Sequence, residues 1–376
     1  MMARLEEICA INMGQSPDSS TYNEDGNGLP FFQGNADFGE IYPAVRMWCS
    51  EPTKIAREKD ILISVRAPIG ALNIANCECC IGRGLAALTV NEDICAQEYL
   101  WHVLSGKVDE LNSKGTGSTF KAINKKTLSE TEIPLPPIDE QRKIAAILDK
   151  VSDLIAKRRQ QLDTLDELVK ARFVEMFGDV IQNTKLWPQY IFSDITTSRL
   201  GKMLDAKQQT GMCQYPYLAN FNVQWFRFEL DNLNEMDFNE ADRIEFELRD
   251  GDLLVCEGGE IGRCAVWHNE IQPCYFQKAL HRVRCKKEIV LPDYLAWWFK
   301  YNCDNKGFAA IEGAKATISH LPGAKLKALL VSVPPIEQQK QFATFVEQTG
   351  KTKITISRSL EKLETLKKAL MQEYFG

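Results

Sequence analysis

The sequence is poor in the side chains on which most active sites are built. Its four histidines, His102, His268, His281 and His320, lie far apart in 376 residues, and isolated histidines are more often surface or satisfied core residues than catalytic ones. No GxxxxGK[ST] phosphate loop is present, so nucleotide hydrolysis has no support. There is no Asn-Pro-Pro-aromatic tetrapeptide and no glycine fingerprint following a strand to cradle S-adenosylmethionine. EGGEIG (Glu257 to Gly262) brings two carboxylates together, but its internal counterpart VRAPIG has none, so it reads as a turn and not as an acid/base pair. No apolar run approaches the ~18 residues of a membrane span. The opening MMARLEEICA has no basic segment leading into an apolar stretch, so a cytoplasmic location without a membrane partner is expected.

Cysteine is not scarce, but its arrangement is uninformative. The twelve thiols are scattered through a large chain, which suits reduced cysteines and not a disulfide framework. Cys77 and Cys80 form a C-x-x-C with Cys79 between them, yet no second close Cys/His pair completes four ligands, so neither metal nor cofactor is expected. What remains is a globular composition, 44% apolar and 26% charged, with enough residues for two or three domains.

The informative signal is a repeat. IPLPPIDEQRKIAAILDKVSDLIAKRRQQLDTLDELVKARFVEMFG (Ile133 to Gly178) returns as VSVPPIEQQKQFATFVEQTGKTKITISRSLEKLETLKKALMQEYFG (Val331 to Gly376), ungapped at an offset of 198 residues. Pro136-Pro137-Ile138 matches Pro334-Pro335-Ile336, and Gln141 matches Gln339. Each copy predicts one long helix, opened by the proline pair and first-turn acids and closed by glycine. Ile144, Leu148, Val151, Ile155, Leu162, Leu165, Val169 and Met176 alternate spacings of three and four with interruptions at Arg158 and Arg172, as a coiled-coil seam requires. Phe342, Val346, Thr349, Ile356, Leu360, Leu363, Leu370 and Tyr374 do the same in the second copy. The segments between are also related. DILISVRAPIG (Asp60 to Gly70) faces DLLVCEGGEIG (Asp252 to Gly262), and LPFFQGN (Leu29 to Asn35) faces YPYLANF (Tyr215 to Phe221). The expected fold is α+β: two similar globular modules of short strands and helices, residues 1–137 and 179–335, each followed by a long helix, 138–178 and 336–376, the two helices pairing as an antiparallel coiled coil.

Net charge is −6, an unfavourable first sign for a nucleic-acid binder. The bases are nevertheless clustered, with Lys114, Lys121, Lys125 and Lys126 in one acid-free window and Lys278, Arg282, Arg284, Lys286 and Lys287 in another. The loops GTGSTFKAINKK (Gly115 to Lys126) and GAKATISHLPGAK (Gly313 to Lys325) occupy equivalent places in the two modules and offer phosphate donors.

The proline-pair segment PLPPIDEQRKIAAIL, the loop GSTFKAI, the segment DILISVRAPIG…CIGRGLAAL and the duplicated layout together resemble the specificity subunit of type I restriction-modification enzymes, over essentially the whole chain. The resemblance implies two target recognition domains, each reading one half of an interrupted double-stranded DNA site. It implies that the helices act as a spacer and dock two methyltransferase (modification) subunits, that motor-endonuclease (restriction) subunits join the assembly, and that this chain is itself not an enzyme. Asp139 to Phe177 as helix is about 58 Å long, or about 17 base pairs of duplex, so the helix is expected to work as a ruler. For base reading the candidates are Gln33, Asn35 and Asp37, and Asn220, Asn222 and Gln224. Phosphate candidates are Lys114, Ser118, Thr119 and Lys121, then Lys315, Thr317 and Ser319, with Arg66, Arg83, Arg263 and Arg282 as further DNA contacts. Glu140, Gln141, Lys143, Gln338 and Gln339 are the candidate docking residues, and here the second copy is less charged than the first. The alternative is a coiled-coil scaffold whose modules bind protein, for which the overall acidity is the best support.

Overall fold

The computed structural model describes residues 1–117, 121–204, 209–309 and 320–376. The chain divides into two compact units, Met1–Gln160 with Ile356–Gly376, and Gln161–Thr355.

In the first unit an antiparallel four-stranded sheet runs in the order Cys9–Met13, Leu85–Val90, Ile61–Ser64, Leu72–Ile74. Ile61, Leu62 and Ile63 are all fully buried, because both faces of this sheet are covered. Ile61 and Ile63 point with Ala86 and Leu88 toward the helix Gln97–Gly106, while Leu62 points with Leu85 and Ala87 into a second core beside Phe32 and Ile81. The two-residue period of the strand thus feeds two cores at once. The second core is closed by a five-stranded sheet in the order Tyr22–Asn23, Trp48–Cys49, Leu29–Phe32, Cys79–Ile81, Ile55–Ala56, in which Leu29–Phe32 and Cys79–Ile81 are parallel.

The second unit repeats the plan. Thr196–Leu200, Leu280–Cys285, Leu253–Cys256 and Cys264–Val266 take the same order, and Leu253 and Val255 again face the helix side while Leu254 and Cys256 face a second sheet. That sheet has three strands, Asn234–Asp237, Gln214–Leu218 and Tyr275–Phe276, the last two parallel. A short pair ties the base of each module, Met2–Arg4 with Glu132–Pro134 in one and Gln189–Ile191 with Leu330–Ser332 in the other. The duplication read from the sequence is therefore one of topology as well.

The long helices span Ile138–Phe177 and Ile336–Phe375, 40 residues each, or about 60 Å. The seam residues of both copies are buried or half-buried. Within the first unit Ile144, Ala145 and Leu148, near the start of one helix, share a core with Leu370, Met371, Tyr374 and Phe375, near the end of the other, and Arg159 pairs with Glu364 at 2.7 Å. Within the second unit Val169, Phe173 and Phe177 meet Phe342, Phe345 and Val346, and Asp166 pairs with Lys353 at 2.5 Å. The helices run antiparallel in both. Each closing phenylalanine serves as an anchor: Phe375 stands edge-on to Tyr99 and Phe177 edge-on to Tyr294, at 5.5 and 5.0 Å between ring centres.

Candidate nucleic-acid interface

Three strand ends converge in the first module. Leu29–Phe32 runs into Gln33, Ile61–Ser64 into Arg66, and Cys79–Ile81 into Arg83. The chain there is flush because of two glycines: a Cβ on Gly82 would lie 2.9 Å from the Gln33 Cα and one on Gly84 2.5 Å from the Gln33 carbonyl oxygen. The Gly82 N–H donates to the Phe32 carbonyl at 2.8 Å, and the Val65 N–H to that of Gly84 at 2.9 Å. The sequence Gly-Arg-Gly is thereby explained, since the flanking residues have no room for side chains and the arginine between them is exposed.

These strand ends border a cleft of about 460 Å³ that gathers Gln33, Asn35, Asp37, Arg66 and Arg83, with Arg46, Ser64 and Met47 completing its wall. Five of the candidates named from sequence therefore meet in one place. Asp37 has a different task from the rest, because its carboxylate accepts the N–H groups of Gln33 at 2.8 Å and Gly34 at 3.4 Å and so fixes the turn Asn35–Asp37. Arg46, Arg66 and Arg83 are exposed, and their guanidinium groups make no hydrogen bond or ion pair with the described residues. Arg46 escaped the sequence reading. Its signal is structural: the Phe31 N–H donates to the Met47 carbonyl at 2.8 Å, which brings the residue before Met47 to the mouth of the cleft.

The same backbone frame recurs in the second module with other side chains. The Gln277 N–H donates to the Leu218 carbonyl at 2.9 Å and the Glu257 N–H to that of Ala279 at 3.0 Å, so Lys278 stands where Arg83 stands and Gly258 where Arg66 stands. The turn Asn220–Asn222 follows its strand one residue sooner than Asn35–Asp37 does, which aligns Asn220 with Asn35 and Asn222 with Asp37. Asn222 is buried, accepting from the Ala219 N–H and donating to the Glu229 carbonyl, both at 2.9 Å, so its amide is spent inside the protein. Gln224 donates to the Phe221 carbonyl at 3.0 Å. Arg263 holds the Asn220 carbonyl at 2.9 Å and is thus a brace for the loop. Arg282 is deeper still. It lies 5.2 Å over the Phe276 ring and binds the carbonyls of Glu245 and Glu247, and burial, with Arg284 beside it, lowers its pKa to about 10. Asn222 and Arg282 therefore act as internal supports, each donating to backbone carbonyls of its own module.

Of the phosphate candidates, Lys121 is exposed on a segment held against the cleft wall, with the Ala67 N–H donating to the Lys121 carbonyl at 3.0 Å and the Ile123 N–H to that of Val65 at 2.9 Å. Lys114 pairs with Glu110 at 2.6 Å. The second module repeats the join, the Leu321 N–H donating to the Glu257 carbonyl at 2.6 Å. Ser118, Thr119, Lys315, Thr317 and Ser319 lie outside the described residues.

The docking candidates split in two. Glu140 and Lys143 are exposed and Gln338 half-exposed. Gln141 and Gln339 are fully buried and act as matched internal clamps. The Gln141 amide accepts from the Ala96 N–H at 2.9 Å and donates to the carbonyls of Ile94 at 3.1 Å and Pro136 at 2.8 Å. Gln339 does the same with Leu291, Ile289 and Pro334 at 2.8, 3.0 and 2.7 Å. Their identity across the repeat reflects the tie between each long helix and its module.

Among the described residues no disulfide joins the cysteines. Cys79 and Cys80 are buried strand residues, and burial pushes their pKa values up to about 12 and about 11, which keeps them protonated and unreactive. Among the described residues no helix is long and apolar enough to cross a membrane, and no group of His, Cys, Asp and Glu is placed to hold a metal ion.

The architecture is thus a module built twice on paired helices, with an open cleft at the strand ends of the first copy. A family model described as "Type I restriction modification DNA specificity domain" matches residues 1–166 and 185–367, and the chain belongs to that family. A relative in Methanocaldococcus jannaschii named as a type I restriction enzyme MjaX specificity subunit is 44% identical over 165 residues, 44% of this chain and 39% of the relative. The chain thus spans well under two thirds of that protein's length. The type I restriction enzyme EcoBI specificity subunit of Escherichia coli is 21% identical over 411 residues, covering 99% of this chain and 84% of the relative. The crystal structure of a type I restriction-modification system S subunit from M. genitalium shares the fold across 100% of this chain and 96% of its own, with a TM-score of 0.63 at 12% identity.

Proposed function

We propose that this chain is the DNA-recognition subunit of a type I restriction-modification assembly and carries no catalytic activity. Modules 1–137 and 179–335 each read one half of an interrupted double-stranded site. The long helices, 138–178 and 336–376, act as spacer and docking surface for two modification subunits, with restriction subunits joining the same complex in the cytoplasm. The observation that carries the reading is the cleft at the strand ends of the first module, lined by exposed arginines, together with the same backbone frame in the second module, where exposed Lys278 takes the place of Arg83, in a chain whose net charge is −6. A protein with no excess of positive charge that still concentrates unpaired bases at a recess has placed them for an anionic partner.

The test is a mobility-shift assay with a random-sequence duplex pool, with and without modification subunits. Retention of a sequence-selected fraction supports the reading; an assembly that retains no duplex at any salt concentration contradicts it. Incubated alone with DNA and S-adenosylmethionine or ATP, the chain is expected to turn over neither.

A further inference from the structure

We infer that the first module recognises guanine in its half-site, through the arginine forks at the strand-end cleft, and that the second module lacks this device. The inference rests on the DNA-reading function proposed above and goes on to name a base. The cleft holds three guanidinium groups, those of Arg46, Arg66 and Arg83, against one carboxylate, that of Asp37, which already accepts two backbone N–H groups. None of the three arginines is neutralised by a neighbouring acid among the described residues.

Arginine is distinguished from lysine by its planar pair of donors, which matches the O6 and N7 acceptors that guanine shows in the major groove. A phosphate contact needs no such fork and is made as well by the loop lysines, of which Lys121 sits beside this cleft. The position of the arginines also favours a base. Arg83 is set between Gly82 and Gly84, where the backbones lie flush, and next to it stand Gln33 and Asn35, whose neutral amides suit adenine edges. Ser16 receives the Arg83 N–H at 3.4 Å, which fixes the backbone from which this side chain springs. Charged forks beside neutral amides form a mixed donor and acceptor surface, as base edges require; a phosphate cradle would be uniformly cationic. In the second module Gly258 replaces Arg66 and Lys278 replaces Arg83, and because Tyr217 pairs with Asn234 as Phe31 does with Met47, Leu233 replaces Arg46, so the matching positions hold no guanidinium.

The experiment is selection of duplexes from a random-sequence pool by the full chain assembled with its modification subunits, followed by sequencing of what is retained. Wild type is compared with Arg66→Ala, Arg83→Ala, Arg46→Ala and, in the other module, Lys278→Ala. All four residues are exposed, so matched unfolding temperatures are expected, and these are measured alongside. At least one of the first three substitutions is expected to reduce preference for guanine at one position of one half-site by about tenfold to a hundredfold. The other half-site stays unchanged, and Lys278→Ala leaves the guanine-bearing half intact. The inference is overturned if the half-site that responds contains no guanine on either strand. It is equally overturned if all three variants retain less DNA of every sequence while both halves keep their preferences, since the arginines would then be phosphate contacts. A wild-type assembly that selects no motif at all would overturn the DNA-reading function itself, a separate and recognisable outcome.

Discussion

The matched glutamine clamps make the most quantitative prediction. Gln141→Ala removes an amide that serves the Ala96 N–H and the carbonyls of Ile94 and Pro136. Ile94 is 41% exposed, so its carbonyl rehydrates at little cost. Ala96 is buried and Pro136 half-buried, and a buried group without a partner costs about 1 to 3 kcal/mol, so a loss of about 2 to 3 kcal/mol is expected, most of it from the Ala96 N–H. Against a domain stability of about 5 to 15 kcal/mol this is a large fraction. Gln339→Ala breaks the same three-way contact in the second unit and is expected to cost a similar amount. Urea unfolding of the full chain followed by amide hydrogen exchange at Ala96 and Leu291 measures both, with exchange there accelerated about 30- to 150-fold if local opening carries the loss. Glu140→Ala and Gln338→Ala, on the outer face of the same helix turns, serve as controls with expected changes under about 0.5 kcal/mol. If Gln141→Ala and Gln339→Ala unfold with wild type, exchange normally and instead lose only a protein partner, the clamp assignment is wrong and these amides belong to a docking face.

Arg282→Ala frees the Glu245 carbonyl, leaves Arg284 alone on that of Glu247 and removes the guanidinium from the Phe276 ring, and is expected to lower the stability of the second unit by about 1 to 2 kcal/mol, read by urea unfolding. A change in DNA preference without a change in stability would argue against its internal role. His281 contacts the Leu321 carbonyl at 2.9 Å, and burial, its largest influence, holds its pKa below the ordinary 6.5. The unfolded chain therefore binds this proton first, so stability falls as pH drops below about 6.5 and the contribution is fully present above it; His281→Gln is expected to flatten the slope between pH 7 and 5. Lys121→Ala is expected to weaken binding to every duplex alike and to reduce the slope of log affinity against log salt by about 1, whereas an unchanged salt dependence would remove the loop from the interface.

The architecture was legible because it is written twice. An ungapped offset of 198 residues between proline pairs and closing Phe-Gly steps fixes two helices of equal length, and the run Ile61-Leu62-Ile63 reads as a short strand, whose burial on both faces only the packing of the two cores reveals. Side-chain roles were much less legible, for a physical reason. A polar residue beside an aromatic strand end has the same appearance in sequence whether it points to solvent, as Gln33 does, or turns back to tie its own loop, as Asn222 does. Burial distinguishes the two, and burial depends on what folds over the residue. Gln141 and Gln339 mislead in the same way, since identity in both copies signals a shared constraint without saying whether it is internal. The single-residue difference before the turns Asn35–Asp37 and Asn220–Asn222 shifts the pairing of candidates between modules, and only the hydrogen-bond frame reveals it. Arg46 had no signal at all, because its place at the cleft comes from strand pairing at Met47.

The most direct measurement is a map of methylated adenines in DNA from cells that carry this chain together with its modification subunits. The account predicts one interrupted motif with two defined halves and an unspecified gap, lost when the chain is deleted. A single uninterrupted motif, or an unaltered pattern after deletion, would contradict it.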